Sequence, residues 1–362
     1  MRYNISEEMK LEDLGYHSFF EEGRSRLGLA DFNVARVISE SRGSYRIKDA
    51  NGEYLAKVTG KRMFDALSRE DYPAVGDWVV VDGLDNECAV IRGILPRASI
   101  IKRVSGDKIQ VIATNIDIAF AVESVGRDYS LNRFERYFAI AKSGGVAPAI
   151  ILNKVDLLPG AQRKEIQTQL KTRFPDVDII FTSVIGDTGL DGLKKYITAR
   201  KTYCFLGSSG VGKSSLINGL IGGEVIETRG ISSYSGRGKH TTTKRQMYFL
   251  KNGGIVIDNP GIREVSIADA RGIDASFGSI SNLDRYCGYA DCTHMHEPGC
   301  AVIDAVRSGN LDPEKYSNYL NLKKEAGYSE MSDFEKREKD RQFGKFIKKA
   351  KKELKDIGRK GR

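Results

Sequence analysis

Gly207, Gly212, Lys213 and Ser214 stand in the spacing G-x-x-x-x-G-K-[ST], inside the stretch CFLGSSGVGKSSLIN. Glycines at these places let consecutive backbone N–H groups curl around phosphate oxygens. The lysine neutralises the outer phosphates, and the serine hydroxyl reaches Mg²⁺. Ser208, Ser209, Gly210 and Val211 fill the loop, and Ser215 belongs to the helix that follows. TYCFL before the loop reads as a strand and SSLINGL after it as a helix, the context this chemistry requires.

A second set comes from Asn153, Lys154 and Asp156, an N-K-x-D tetrad placed directly after the apolar strand PAIIL. The Asp156 carboxylate can accept from the N1–H and N2–H₂ donors of guanine. Adenine lacks that donor pair, and a carboxylate left unpaired against it rejects it. Asn153 would hold the base edge, and the aliphatic stem of Lys154 would pack on the ring. Thr182 and Ser183, at the end of DIIFTS, offer a second loop for the base.

In DNPG, Asp258 ends a strand, where a carboxylate can orient Mg²⁺, and the Gly261 amide can approach a γ-phosphate with no side chain in the way. GRGKHTTT lies between the loop helix and the next strand, where a switch threonine completes the Mg²⁺ shell. Three consecutive threonines leave the ligand open, and Thr242 is the candidate. These pieces read as GTP/GDP and Mg²⁺ chemistry in an unusual chain order: base loop, base loop, phosphate loop, switch I, switch II. A circular permutation explains this order, because strands need only be neighbours in space. It also leads switch II into a cysteine-rich segment rather than back into the nucleotide domain.

That segment holds Cys287, Cys292, His294 and Cys300 in the spacing C-x₄-C-x-H-x₅-C. Three thiols and a histidine suit a closed tetrahedral site for one structural Zn²⁺, with His296 as a rival for the histidine position. A reducing compartment makes a metal site the better reading than a disulfide framework. Cys88 and Cys204 lie in apolar, strand-like runs and read as buried core thiols.

A glutamine just after D-x-x-G orients the attacking water in Ras-type GTPases, and here Ile262 takes that place. Isoleucine can neither orient nor polarise water, so the intrinsic rate is expected on the order of 10⁻³ s⁻¹ or less. His240 in the switch I stretch is the candidate replacement, competing with the plain reading of an exposed loop histidine; Arg237 or an RNA phosphate environment are further contributors.

The elements around these residues change texture along the chain. Residues 1–30 read as an irregular or helical lead-in. From about 31 to 105, five short strands (NVARVISES, SYRIKD, EYLAKV, DWVVVDG and CAVIRGIL) suggest an OB-type β-barrel. Residues 106–268 alternate strands and helices as a mostly parallel α/β sheet. In that region LNRFERYFAIAKSGG forms a helix ending on glycines, and Asn252-Gly253 turns a hairpin. Residues 269–362 hold the cysteine cluster, a helix opening at Asp312-Pro313, and a basic tail.

The 362 residues carry a net charge of +9, and all of it sits between Lys336 and Arg362, where thirteen Lys/Arg face four Asp/Glu. A basic tail on a neutral body suggests a polyanionic partner. No apolar run reaches the length of a membrane span, and the tail lacks an apolar helical face and any lipidation cysteine. The N-terminal residues do not resemble a signal peptide, so a soluble cytoplasmic protein is expected. Nothing suggests more than a monomer.

The permuted order, the barrel-like region before it and CGYADCTHMHEPGCAV resemble the ribosome small-subunit-dependent GTPase A family (RsgA, also called YjeQ). PAVGDWV, LPRASIIKR and EKDRQFGKFIKK extend the resemblance from about residue 31 to the end of the chain. It implies a GTPase acting late in maturation of the small (30S) ribosomal subunit, bound to its rRNA and proteins and stimulated by it. It also implies His294 as the metal histidine. The competing reading is an RNA-binding assembly factor that holds guanine nucleotide without significant turnover.

Overall fold

The computed structural model describes residues 9–41, 43–59, 68–83, 88–105, 108–126, 129–185, 189–226, 245–259, 267, 270–332, 334–339, 341, 342 and 347. Five strands form the barrel: β1 (Asn33–Ser41), β2 (Ser44–Lys48), β3 (Glu53–Val58), β4 (Trp78–Asp82) and β5 (Cys88–Ile94). They hydrogen-bond in the order β1-β2-β3-β5-β4, and β4 pairs back on β1 to close the ring. The parallel β3–β5 contact amid antiparallel neighbours gives the OB-type topology. Ala35, Val37, Ile47, Ala56, Val79 and Ile91 alternate inward and fill it.

The next two strands, β6 (Ile100–Ser105) and β7 (Lys108–Thr114), pair only with each other, a hairpin outside the barrel. The remaining strands are β8 (Ile118–Ser124), β9 (Ala147–Asn153), β10 (Ile179–Phe181), β11 (Thr202–Leu206), β12 (Gln246–Phe249) and β13 (Ile255–Asp258). They lie in the order β10-β9-β8-β11-β13-β12, all parallel except the last pair. The Asn252-Gly253 turn joins β12 to β13, with Gly253 at φ +80°.

All five residues of β11 are buried, as a central parallel strand covered on both faces requires. Ala119 and Ala121 of β8 face one core with the helix Leu131–Ser143, while Phe120 and Val122 face the other with the helix Lys213–Ile221. In the helix Leu131–Ser143, helical spacing puts Leu131, Phe134, Phe138 and Ala141 on one face; the last three are buried and Leu131 packs half-buried against the same core.

The C-terminal module contains the helices Arg271–Ser276, Gly278–Asp284, Ala301–Arg307 and Pro313–Glu330. Ile273, Phe277, Val302 and Leu322 share one apolar core with Phe134 and Ile150 of the nucleotide domain. A buried polar knot reinforces that contact: Arg173 pairs with Glu135 at 2.7 Å and with Asp312, and Asn318 also donates to Glu135. The barrel joins the sheet through a ladder contact between Ser39 of β1 and Gln246 of β12, and Ile38 and Val75 of the barrel region pack in the nucleotide-domain core.

The described part of the lead-in, from residue 9, holds the helix Ser18–Arg26, and its Leu14, Tyr16 and Phe20 pack on Trp78, Val80 and Leu95 as a separate cluster. One detail departs from the sequence reading. Cys204 is fully buried as expected, but Cys88 is only half-buried because it opens a strand at the barrel rim.

Candidate nucleotide and metal sites

Strand β11 ends at Leu206, the loop 207–212 turns tightly, and the helix Lys213–Ile221 begins at once. Only glycine fits at 207, since a Cβ there would lie 2.3 Å from the Val122 carbonyl oxygen of β8. Gly212 is required twice over: its φ is +95°, and a Cβ would fall 2.3 Å from the Asn153 amide nitrogen. Ser209 and Gly210 are exposed, Ser208, Ser214 and Ser215 are half-buried, and Val211 is buried.

The N-K-x-D tetrad meets this loop directly. Asn153 Nδ2 donates to the Val211 carbonyl at 2.9 Å, and Lys154 Nζ donates to the Gly210 carbonyl at 2.7 Å. Lys154 adopts the left-handed conformation, φ +61°, a cost for a side-chain-bearing residue. That conformation turns β9 into the 3-10 turn Val155–Leu157, leaving Asp156 exposed while Asn153 stays buried. The end of β10 supports the tetrad: Thr182 Oγ1 donates to Asn153 Oδ1 at 3.0 Å, and Ser183 Oγ donates to Asp156.

Lys213 is buried, and its ammonium donates to the carbonyls of Gly207 at 2.7 Å and Ser208 at 2.8 Å. Burial pulls its pKa down to about 8, against the pull of the Asp258 and Glu123 carboxylates. Asp258 ends β13, and burial raises its pKa while Lys213 and a hydrogen bond with Ser214 lower it. Its Oδ1 is buried without a hydrogen-bond partner among the described residues. An orphaned carboxylate oxygen beside a loop serine is a donor set that fits Mg²⁺. Gly261, His240, Thr242, Arg237 and Ile262 lie outside the described residues.

Sequence reasoning missed three neighbours of the site. Tyr137 places its hydroxyl 3.4 Å from Ser208 Oγ, Glu123 sits buried with Arg133 at 3.1 Å, and Asn259 Nδ2 contacts Cys204 Sγ at 2.9 Å. Asn259 was visible beside Asp258 in DNPG, whereas nothing local distinguishes Tyr137 or Glu123 from core residues.

The ligand atoms of Cys287, Cys292, His294 and Cys300 all lie within 4.8 Å of one another. A tetrahedral Zn²⁺ with its usual bond lengths sets S···S near ~3.8 Å and S···N near ~3.5 Å. Cys287 and Cys300 have sulfurs 3.8 Å apart, and His294 Nδ1 lies 3.7 Å and 3.4 Å from them. The four residues therefore fit such an ion. His294 is in the left-handed conformation, φ +61°, which aims its ring inward, and its Nε2 meets Asp284 Oδ1 at 3.3 Å. His296 is exposed and stands outside the group. The Cys300 sulfur also accepts from the Ile303 amide at the start of the helix Ala301–Arg307.

A parallel sheet with a G-x-x-x-x-G-K-S loop on its central strand, an N-K-x-D tetrad on an earlier strand and an OB-type barrel in front defines a circularly permuted GTPase. A sequence model of the RsgA GTPase family matches residues 94–268. A curated relative, "Small ribosomal subunit biogenesis GTPase RsgA 1" from Bacteroides thetaiotaomicron, is 36% identical over 326 residues, covering 89% of this chain and 91% of its own. The chain belongs to the RsgA GTPase family. Among solved structures, YjeQ from Thermotoga maritima matches with a TM-score of 0.63 and 24% identity, over 81% of this chain and 98% of that one. YloQ, described as a circularly permuted GTPase, matches with a TM-score of 0.61 and 21% identity, over 83% and 97% of the two chains.

Proposed function

We propose that this GTPase works as a late maturation factor on the small ribosomal subunit, binding its rRNA and proteins and hydrolysing GTP when docked there. The observation that carries the nucleotide reading is the junction between the two loops, Asn153 to Val211 and Lys154 to Gly210. One ligand laid across it would meet Asp156 with its base and the loop 207–215 with its phosphates. Thr182 and Ser183 hold the base-reading side chains in place. Lys213 leaves its two carbonyls for the phosphates, whose charge replaces their partial charge.

Ser214 and Asp258 would hold Mg²⁺, which supplies charge neutralisation at the phosphates. Gly261 would meet the γ-phosphate by its amide. Thr242 would complete the Mg²⁺ shell. His240 is the proposed stand-in for the water-orienting group that Ile262 cannot provide. The three cysteines and His294 hold one structural zinc, with Asp284 fixing the ring orientation. Residues 31–105, 106–268 and 269–362 act as barrel, permuted GTPase and zinc-binding helical module, preceded by the extension 1–30. We take the protein to be cytoplasmic and monomeric; no described helix is long and apolar enough to cross a membrane.

GTP turnover measured with purified small subunits, with large subunits and with neither tests this reading. Strong stimulation by small subunits alone is expected, and His240→Ala should lose most of it. Equal response to both subunits, or calorimetry showing ATP preferred to GTP, would overturn it. Ile262 favours one competing reading, nucleotide binding without meaningful turnover, and a flat rate in all three mixtures would select that one.

A further inference from the structure

We infer that Glu325 is a positioning residue for GTP hydrolysis, tying the C-terminal helix to the chain that leaves the D-N-P-G stretch. The inference rests on the proposed reading of that stretch as the γ-phosphate sensor. Glu325 Oε1 accepts two donors at once, Arg136 Nη1 at 2.7 Å and the backbone N–H of Ile267 at 3.0 Å. Ile267 lies nine residues after Asp258, and its side chain is 1% exposed in the core shared by the sheet and the C-terminal module. One carboxylate thereby fixes the main chain at the far end of the segment that Asp258 begins.

The other donor gives this contact its reach. Arg136 sits on the helix Leu131–Ser143, where its neighbour Tyr137 meets Ser208 of the phosphate loop and Arg133 pairs with Glu123. The same helix grips the C-terminal module through Glu135, which Arg173 and Asn318 both address. One helix thus touches the phosphate loop with one flank and the module with the other, and Glu325 closes the circuit onto Ile267. Further along, Glu330 Oε1 accepts the Ala270 N–H at 3.2 Å, so the C-terminal helix holds this exit at two backbone amides.

An ordinary interface ion pair would need only Arg136. A carboxylate that also takes a main-chain amide transmits position, because any shift of the helix Pro313–Glu330 is delivered to the backbone at Ile267. A half-buried carboxylate makes a charge-assisted hydrogen bond, stronger than a neutral one.

Full-length Glu325→Ala and Glu325→Gln are assayed for kcat and KM of GTP hydrolysis, alone and with purified small ribosomal subunits, alongside thermal melts. Glu325→Ala should lower kcat about tenfold in both conditions and leave KM within about twofold, because the phosphate and base loops are untouched. Glu325→Gln keeps a carbonyl acceptor for the Ile267 N–H and should regain most of the rate. An unchanged kcat in Glu325→Ala, a kcat loss that Glu325→Gln does not relieve, or kcat and KM moving together with a lowered Tm overturns the inference. Wild-type turnover indifferent to small subunits would sink the proposed partner instead. The ratio of basal kcat between Glu325→Ala and wild type would still decide the role of Glu325.

Discussion

Asn153 donates its side-chain amide to the carbonyl of Val211 at 2.9 Å, across 58 residues of chain. This bond lies where the permuted order would fail if the two loops were unrelated. It is buried, and Thr182 holds the opposite end of the same amide. Losing a buried bond of this kind costs about 1–3 kcal/mol once the orphaned carbonyl is counted. Asn153→Ala should therefore weaken GTP binding about tenfold or more, as read by calorimetry, with the fold retained.

Base choice is a separate matter from loop pairing. The Asp156 carboxylate presents only acceptors, which suit the two guanine donors. Asp156→Asn replaces one acceptor with a donor and should reduce GTP affinity about a hundredfold while improving that for xanthosine triphosphate, whose C2 oxygen accepts. Competition binding with the two triphosphates checks this; unchanged GTP affinity would remove Asp156 from base recognition.

Lys213 is held at a cost to stability. Folded, it loses its proton at about 8, against an ordinary value of 10.5, and burial is the cause. Between those values the unfolded chain binds more protons than the folded one, so stability rises with pH across that window. Below pH 8 the full cost of the buried ammonium applies. Lys213→Met should raise Tm by a few degrees at pH 7, equivalent to roughly 1 kcal/mol. The advantage should shrink from pH 8 upward while GTP hydrolysis is lost throughout. Thermal melts over a pH series provide the measurement.

What the sequence disclosed follows from how far each feature reaches along the chain. The strand TYCFL, the Asn252-Gly253 turn and the glycine-ended helix Leu131–Ser143 are set by neighbours a few residues apart, so period and punctuation reveal them. Asp312 before Pro313 was legible as a helix start for the same reason, and its carboxylate accepts the Glu314 amide at 2.8 Å. His294 against His296 was not decidable from spacing, because the inward turn of His294 depends on a left-handed backbone no motif encodes. Arg36, Glu123, Tyr137 and Glu325 gave no local sign at all. Their partners are distant in sequence, and a charged residue within an apolar pattern looks the same whether it faces water or another domain.

Asp284 has no place in the C-x₄-C-x-H-x₅-C spacing, yet it meets His294 Nε2 at 3.3 Å while Nδ1 turns toward the thiols. Such a carboxylate fixes the ring's tautomer and orientation, and its loss typically costs about 10–100-fold in metal affinity. Metal analysis should find one zinc per chain in the wild type. His294→Ala should abolish binding, Asp284→Asn should weaken it within that range in a chelator competition, and His296→Ala should leave it unchanged. Full occupancy in His294→Ala would contradict the assignment.

One buried guanidinium bridges the barrel and the nucleotide sheet. Arg36 of β1 donates to the carbonyls of Leu14, Gly76 and Asn115 and to Thr202 Oγ1, the first residue of the strand that ends at the phosphate loop. Burial pulls its pKa down to about 10, with Asp117 and Asp77 opposing, so it stays charged at neutral pH. Arg36→Met would leave several buried acceptors without a donor, at a cost of about 3–5 kcal/mol. Arg36 shares this junction with the Thr114 N–H donating to the Val75 carbonyl at 3.0 Å, Asn115 Nδ2 donating to the Gly76 carbonyl at 3.0 Å, and Ile38 and Val75 packed in the nucleotide-domain core, so that loss should loosen the coupling of the two parts. Calorimetry of Arg36→Met should show two unfolding transitions where the wild type shows closer coupling, and added GTP should shift only one of them upward. A single transition moving as a whole with GTP would show that the barrel is held by contacts other than Arg36.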